Sequence, residues 1–177
     1  MIHAETEALR AILEKIHHPE MLDSHPWVSR LFVKETVARR PELGRQSPGA
    51  QLVGALAESF AKNIPSNPPR RGKRLDTRWG EFGLLAAQYF APLQFGAPIP
   101  TSLRDAWGRM DHAILLYVFG RADSLSQDEI AAYKLVGDEL EVAPTSTLSD
   151  WHTKGMQKLA EALAARDQFL AQEQPRP

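Results

Sequence analysis

With 177 residues, 43% of them hydrophobic, the chain is long enough to bury a core as one large helical domain or two small ones. Its 21 Lys and Arg stand against 22 Asp and Glu, a formal net charge of -1, which excludes a polycation built to coat nucleic acid and leaves that role to a local patch at most. The absence of cysteine removes disulfides, zinc ribbons, iron–sulfur ligation and thiol nucleophiles, and no apolar run approaches the length of a membrane span, so a cytoplasmic protein is expected.

Leu9, Ile12, Leu13 and Ile16 recur at the spacing of an amphipathic helix, which His17-His18-Pro19 should end because proline disfavours helix in the residue before it. A second helix is expected from Trp27 to Arg40, with Trp27, Val28, Leu31 and Phe32 on one side and Pro41 as its stop. Ser47-Pro48 forms a cap and first turn, followed by a stripe of Leu52, Val53, Leu56, Phe60 and Ile64 that lasts to Pro65. These residues, 1–65, make an N-terminal helical segment.

Residues 66–77 read as a basic, proline-rich linker or loop, since Pro68, Pro69 and Gly72 interrupt regular structure among Arg70, Arg71, Lys73 and Arg74. From Thr77 the pattern Trp79, Phe82, Leu84, Leu85, Tyr89 and Phe90 is apolar nearly all round, as in a helix covered by several neighbours. A further helix runs from Thr101 or Ser102 through Leu103, Trp107, Met110, Ile114 and Tyr117 to Gly120. Only helical periods occur, so the fold class is all-α, a multi-helix bundle with its helical core at 78–171 and a frayed tail at 172–177.

Ser126 and Glu129 have the spacing of a capping box, and Ile130, Tyr133, Gly137 and Leu140 then share one face. A turn at 141–145 leads to Thr147 as the next cap, with Asp150 in the third position. The following helix should bury Leu148, Trp151, Gly155, Leu159 and Leu163 and expose Ser149, Asp150, Thr153, Lys154, Gln157 and Glu161. Residues 126–165 thereby form a C-terminal helix-turn-helix. The stretch Leu135-Val136-Gly137-Asp138-Glu139-Leu140-Glu141-Val142-Ala143-Pro144, with Ser146-Thr147-Leu148-Ser149 and Lys154-Gly155-Met156-Gln157-Lys158-Leu159, resembles the DNA-binding units of bacterial sigma-70 region 4 and LuxR-type regulators. The resemblance implies that Ser146, Thr147, Ser149, Asp150, Thr153 and Lys154 meet phosphates and base edges in the major groove.

Charge qualifies that expectation. The first helix of the unit carries Asp128, Glu129, Asp138, Glu139 and Glu141 against Lys134 alone, the wrong sign for approaching a phosphate backbone. Compensation has to come from Arg70, Arg71, Lys73, Arg74 and Arg78, with Arg39, Arg40 and Arg45 as further candidates for phosphate. Those of the loop would serve equally well as partners of the acidic helix.

Other chemistry has little support. The six histidines, His3, His17, His18, His25, His112 and His152, lack metal-ligand spacing, and His152 falls toward the inner edge of its helix. Asp76, Glu81, Asp105 and Asp111 sit near helix starts or beside basic residues, where a structural role suffices. No phosphate-binding glycine loop and no Gly-x-Ser-x-Gly occurs. The sequence is therefore read as non-enzymatic, with no cofactor, metal or membrane partner. It suggests a DNA-binding, transcription-regulator-like protein or accessory subunit, or else a helical adaptor that uses the same helix-turn-helix to dock within a larger protein complex.

Overall fold

The computed structural model describes residues 2–63, 77–85, 89–90 and 145–174. Among these, every regular element is helical and none is a strand: α1 (Ile2–Leu13), 3-10 turns at Pro19–Leu22 and Pro26–Ser29, α2 (Leu31–Arg39), the short α3 (Pro41–Gly44), α4 (Pro48–Ala61), α5 (Thr77–Leu85) and α6 (Thr145–Glu173). No described helix is long and apolar enough to cross a membrane. Ile64, the segment bearing Arg70, Arg71, Lys73 and Arg74, the helix expected after Thr101 and the first helix of the helix-turn-helix with its turn as far as residue 144 lie outside the described residues, while Thr145, expected in that turn, is helical.

The chain divides into two compact units, Met1–Asn63 with Met156–Pro177, and Ile64–Gly155. The sequence divides the chain at 1–65, 66–77, 78–171 and 172–177; in the structure α6, with its 29 residues, contributes to both compact units. At about 1.5 Å per residue the helix is about 43 Å long.

In the first unit α1 ends as a regular helix at Leu13, earlier than the pattern suggests. The backbone then tightens, Lys15 N donating to Ile12 O at 2.9 Å and Ile16 N to Leu13 O at 3.2 Å, which keeps Ile16 fully buried. The single helix expected from Trp27 to Arg40 is two elements. Trp27 sits in the 3-10 turn, Arg30 adopts an extended conformation at φ -65 and ψ 152, and α2 starts only at Leu31. The break has a local cause: His25 Nδ1 accepts the Trp27 amide, and Arg30 N closes the turn on Trp27 O, both at 3.1 Å. Phe32, Val33 and Thr36 are the buried face of α2, whereas Leu31 and Val28 are half-buried.

Ser47 caps α4 as its sequence implies, Oγ accepting the Ala50 amide at 3.4 Å. Leu52, Val53, Ala55, Leu56 and Phe60 from this helix lie in the core with Leu9, Ile12, Leu22, Phe32 and, from α6, Met156, Leu159 and Leu163. Ser47→Ala should cost about 0.5–1 kcal/mol, the low end for a cap because the site is exposed, and a denaturant titration would show it.

Ion pairs tie the helices together around this core. Arg39 is held between Glu35 and Glu58, Arg40 reaches Glu42 at 2.7 Å and Glu58 at 3.7 Å, and Arg166 of α6 reaches Glu35 at 3.4 Å. Two arginines considered for phosphate are thus engaged with carboxylates of their own chain. Hydrogen bonding by Arg39, aided by nearby cations, holds the Glu35 carboxyl below its ordinary 4.5 in spite of burial. Burial acts to raise Glu58, but hydrogen bonds from Arg39 and Lys62 outweigh it and lower that carboxyl as well. Carboxyls depressed in the fold contribute stability above their unfolded value and lose it as the folded form protonates. Glu58→Gln should accordingly flatten the fall in stability between about pH 5 and pH 3, measured by urea midpoints.

Candidate docking face on the last helix

The second unit places α5 and the start of α6 against one another. Gly80, Glu81, Phe82, Gly83, Leu84 and Leu85 are consecutively buried, as expected for a helix covered on more than one side, and Tyr89 and Phe90 are buried beyond them. Two glycines set how closely the helices cross. A Cβ on Gly80 would stand 2.3 Å from the Trp151 ring, and one on Gly155 would stand 2.6 Å from the Glu81 carbonyl oxygen. Trp151 and Gly155 therefore form the inner edge of α6, beside which Tyr89 Oη and His152 Nε2 share a hydrogen bond of 2.9 Å.

That inner edge determines what is left outside. Ser149, Asp150, Thr153 and Lys154 are all exposed, while Trp151 is only 5% accessible, the division that the sequence pattern predicts. The same pattern continues in the first unit, where Leu159 and Leu163 are buried and Gln157 and Glu161 exposed. Arg78, in the first turn of α5, is exposed too. Ser146 and Thr147 belong to the helix, but their side chains, with that of Leu148, lie outside the described residues. The helix begins at Thr145, ahead of the predicted cap Thr147, directly after Pro144 in the sequence.

The exposed residues are tied to their own helix. Lys154 Nζ lies 3.0 Å from Asp150 Oδ2, one turn back, and that hydrogen bond together with the carboxylate charge raises the ammonium above its ordinary value. Thr153 Oγ1 donates to the Ser149 carbonyl at 3.1 Å. The patch consequently offers a neutral ion pair, two hydroxyl groups and the stem of a lysine. A phosphate approaching Lys154 would meet the Asp150 carboxylate beside it, at about 3 Å from the cation.

Among the described residues no cluster of His, Asp and Glu is arranged to hold a metal ion. The Tyr89–His152 bond had a partial signal in the sequence, which puts His152 at the inner edge; its partner, 63 residues away, had none. Compared with protein-family models, with curated proteins and with solved structures, the chain gives no match.

Proposed function

We propose that the protein is a non-enzymatic helical adaptor that docks a protein partner on the exposed face of α6 at Ser149, Asp150, Thr153 and Lys154. The observation that carries this reading is the Asp150–Lys154 pair, which neutralises the one cation of that group of four. Protein interfaces accommodate such neutral, hydrogen-bonding surfaces, whereas affinity for duplex DNA rests mainly on cations available to phosphate. The engagement of Arg39 and Arg40 with glutamates supports the same conclusion. A partner should co-purify with wild type in fixed stoichiometry and be lost from Thr153→Arg, whose helical circular dichroism should be unchanged. Retention of the partner by that variant would refute the face as the docking site.

A DNA-binding role is the second reading, favoured by the exposure of Ser149, Asp150, Thr153 and Lys154 opposite a buried Trp151, the disposition that a recognition helix requires. It makes a distinct prediction. Duplex DNA should bind at low salt, weaken steeply as salt is added, and be lost on Lys154→Glu or on Arg71→Glu with Arg74→Glu. Absence of binding to wild type at low salt would dispose of it.

A further inference from the structure

The turn that interrupts the first unit between the Pro19–Leu22 turn and α2 is built on a histidine. His25 Nδ1 accepts the Trp27 amide at 3.1 Å, His25 O accepts Val28 N at 3.1 Å, and the imidazole meets the Trp27 indole edge to face, with centroids 6.3 Å apart. Trp27 is in turn the platform for Arg30, whose guanidinium carbon is 4.0 Å from the indole centroid. Arg30 Nε donates to Asp167 Oδ2 of α6 at 2.6 Å and its Nη1 to Glu5 at 2.9 Å, while the other Asp167 oxygen accepts the Phe32 amide at 2.8 Å. A continuous set of contacts thus leads from one imidazole nitrogen to the seat of the last helix.

We propose that protonation of His25 is an acid-operated release for this seat: a proton on Nδ1 abolishes the acceptor that closes the Trp27 turn, and Arg30 loses the support that aims it at Asp167. Nδ1 cannot carry a proton and accept the Trp27 N–H at the same time. Burial, then the field of Lys15 from the turn after α1, holds the imidazole below its ordinary 6.5, as expected where the fold uses the neutral ring. A group lowered in this way contributes stability above the unfolded value and loses it as pH falls through the folded one, which places the change on the acid side of 6.5.

The test is hydrogen exchange on the full chain at two backbone amides, compared as protection factors at about pH 7.5 and pH 5.5. The Trp27 amide reports the turn, and the Phe32 amide, held by Asp167, reports the seat of α6. Both should lose roughly 3- to 30-fold protection on acidification, the range for loss of a side-chain cap. His25→Asn, which keeps an acceptor without a titrating group, should hold both constant, and His25→Ala should be low at both pH values. Wild-type protection that does not change with pH, or an equal loss in His25→Asn, would overturn the proposal. Loss at Trp27 with no change at Phe32 would overturn it as well, since the proton would then act on the turn alone.

Discussion

Replacing Gly49 by alanine should destabilise the protein by about 3 kcal/mol, although alanine is the better helix former by roughly 1 kcal/mol in a helix interior. Gly49 lies in the first turn of α4, where its amide donates to Asp23 Oδ1 at 2.8 Å. A Cβ at that position would stand 1.8 Å from the Pro19 carbonyl oxygen and 2.9 Å from Asp23 Oδ1. The first of these is a backbone atom and cannot swing away as a side chain can. Relief requires α4 and the Pro19–Leu22 turn to part, and the hydrogen bond to Asp23 is strained with them. Sterics therefore outweigh propensity. In thermal unfolding the midpoint should fall by roughly 6–12 °C, on the scale of about 2–4 °C per kcal/mol for a chain of this size. A midpoint equal to or above wild type would show that this approach is looser than described.

Asp167→Ala should be comparably damaging, at about 2–4 kcal/mol. The carboxylate has two separate tasks: one oxygen takes the Arg30 guanidinium at 2.6 Å, and the other caps α2 from outside by accepting the Phe32 amide at 2.8 Å. Arg30, the residue at the N-cap position of α2, makes no side-chain cap of its own. Removal of the carboxylate leaves a helix-terminal amide and a cation whose side chain is only 14% exposed short of partners, and the penalty for such groups exceeds what the intact bond contributes. Arg30 retains Glu5 and its stacking on Trp27, which limits the loss. Asp167→Asn preserves an acceptor for Phe32 and removes the charge, so about half the effect should remain. Equal urea midpoints for the Ala and Asn variants would show that the cap contributes nothing and that the ion pair alone matters.

Much of the helical organisation was legible before folding was considered. Ser47-Pro48 announced α4 because a hydroxyl cap and a proline at the first position answer a purely local need, the unpaired amides of a helix start. The alternation of Trp151, Gly155, Leu159 and Leu163 with Ser149, Asp150, Thr153 and Lys154 fell on the buried and exposed sides of α6 as read, since burial follows from spacing once a helix forms. The segment from Trp27 to Arg40 misled for an equally definite reason. Its apolar residues keep helical spacing through the extended Arg30 that separates the 3-10 turn from α2, and the His25 cap that starts the turn depends on a ring orientation that spacing does not encode.

At the candidate site the residue types were readable and their charge state was not. Lys154 counted as an available cation until its pairing with Asp150 was seen, and Arg39 and Arg40 likewise until Glu35, Glu42 and Glu58 were found beside them. A separation of four residues permits a helical ion pair but does not require one, and Glu58, 19 residues from Arg39, has no local signal at all.

The sequence by itself determined that the described elements are helical, that Ser47 starts α4 and which side of the last helix faces outward, because caps and apolar periodicity act over a few residues. Only the tertiary structure decided that α6 serves two compact units, that Asp167 caps α2 and that Gly49 and Gly155 lie against foreign carbonyl oxygens. Each of these joins residues far apart in the chain, where contact depends on the packing of whole helices and leaves no periodicity to read.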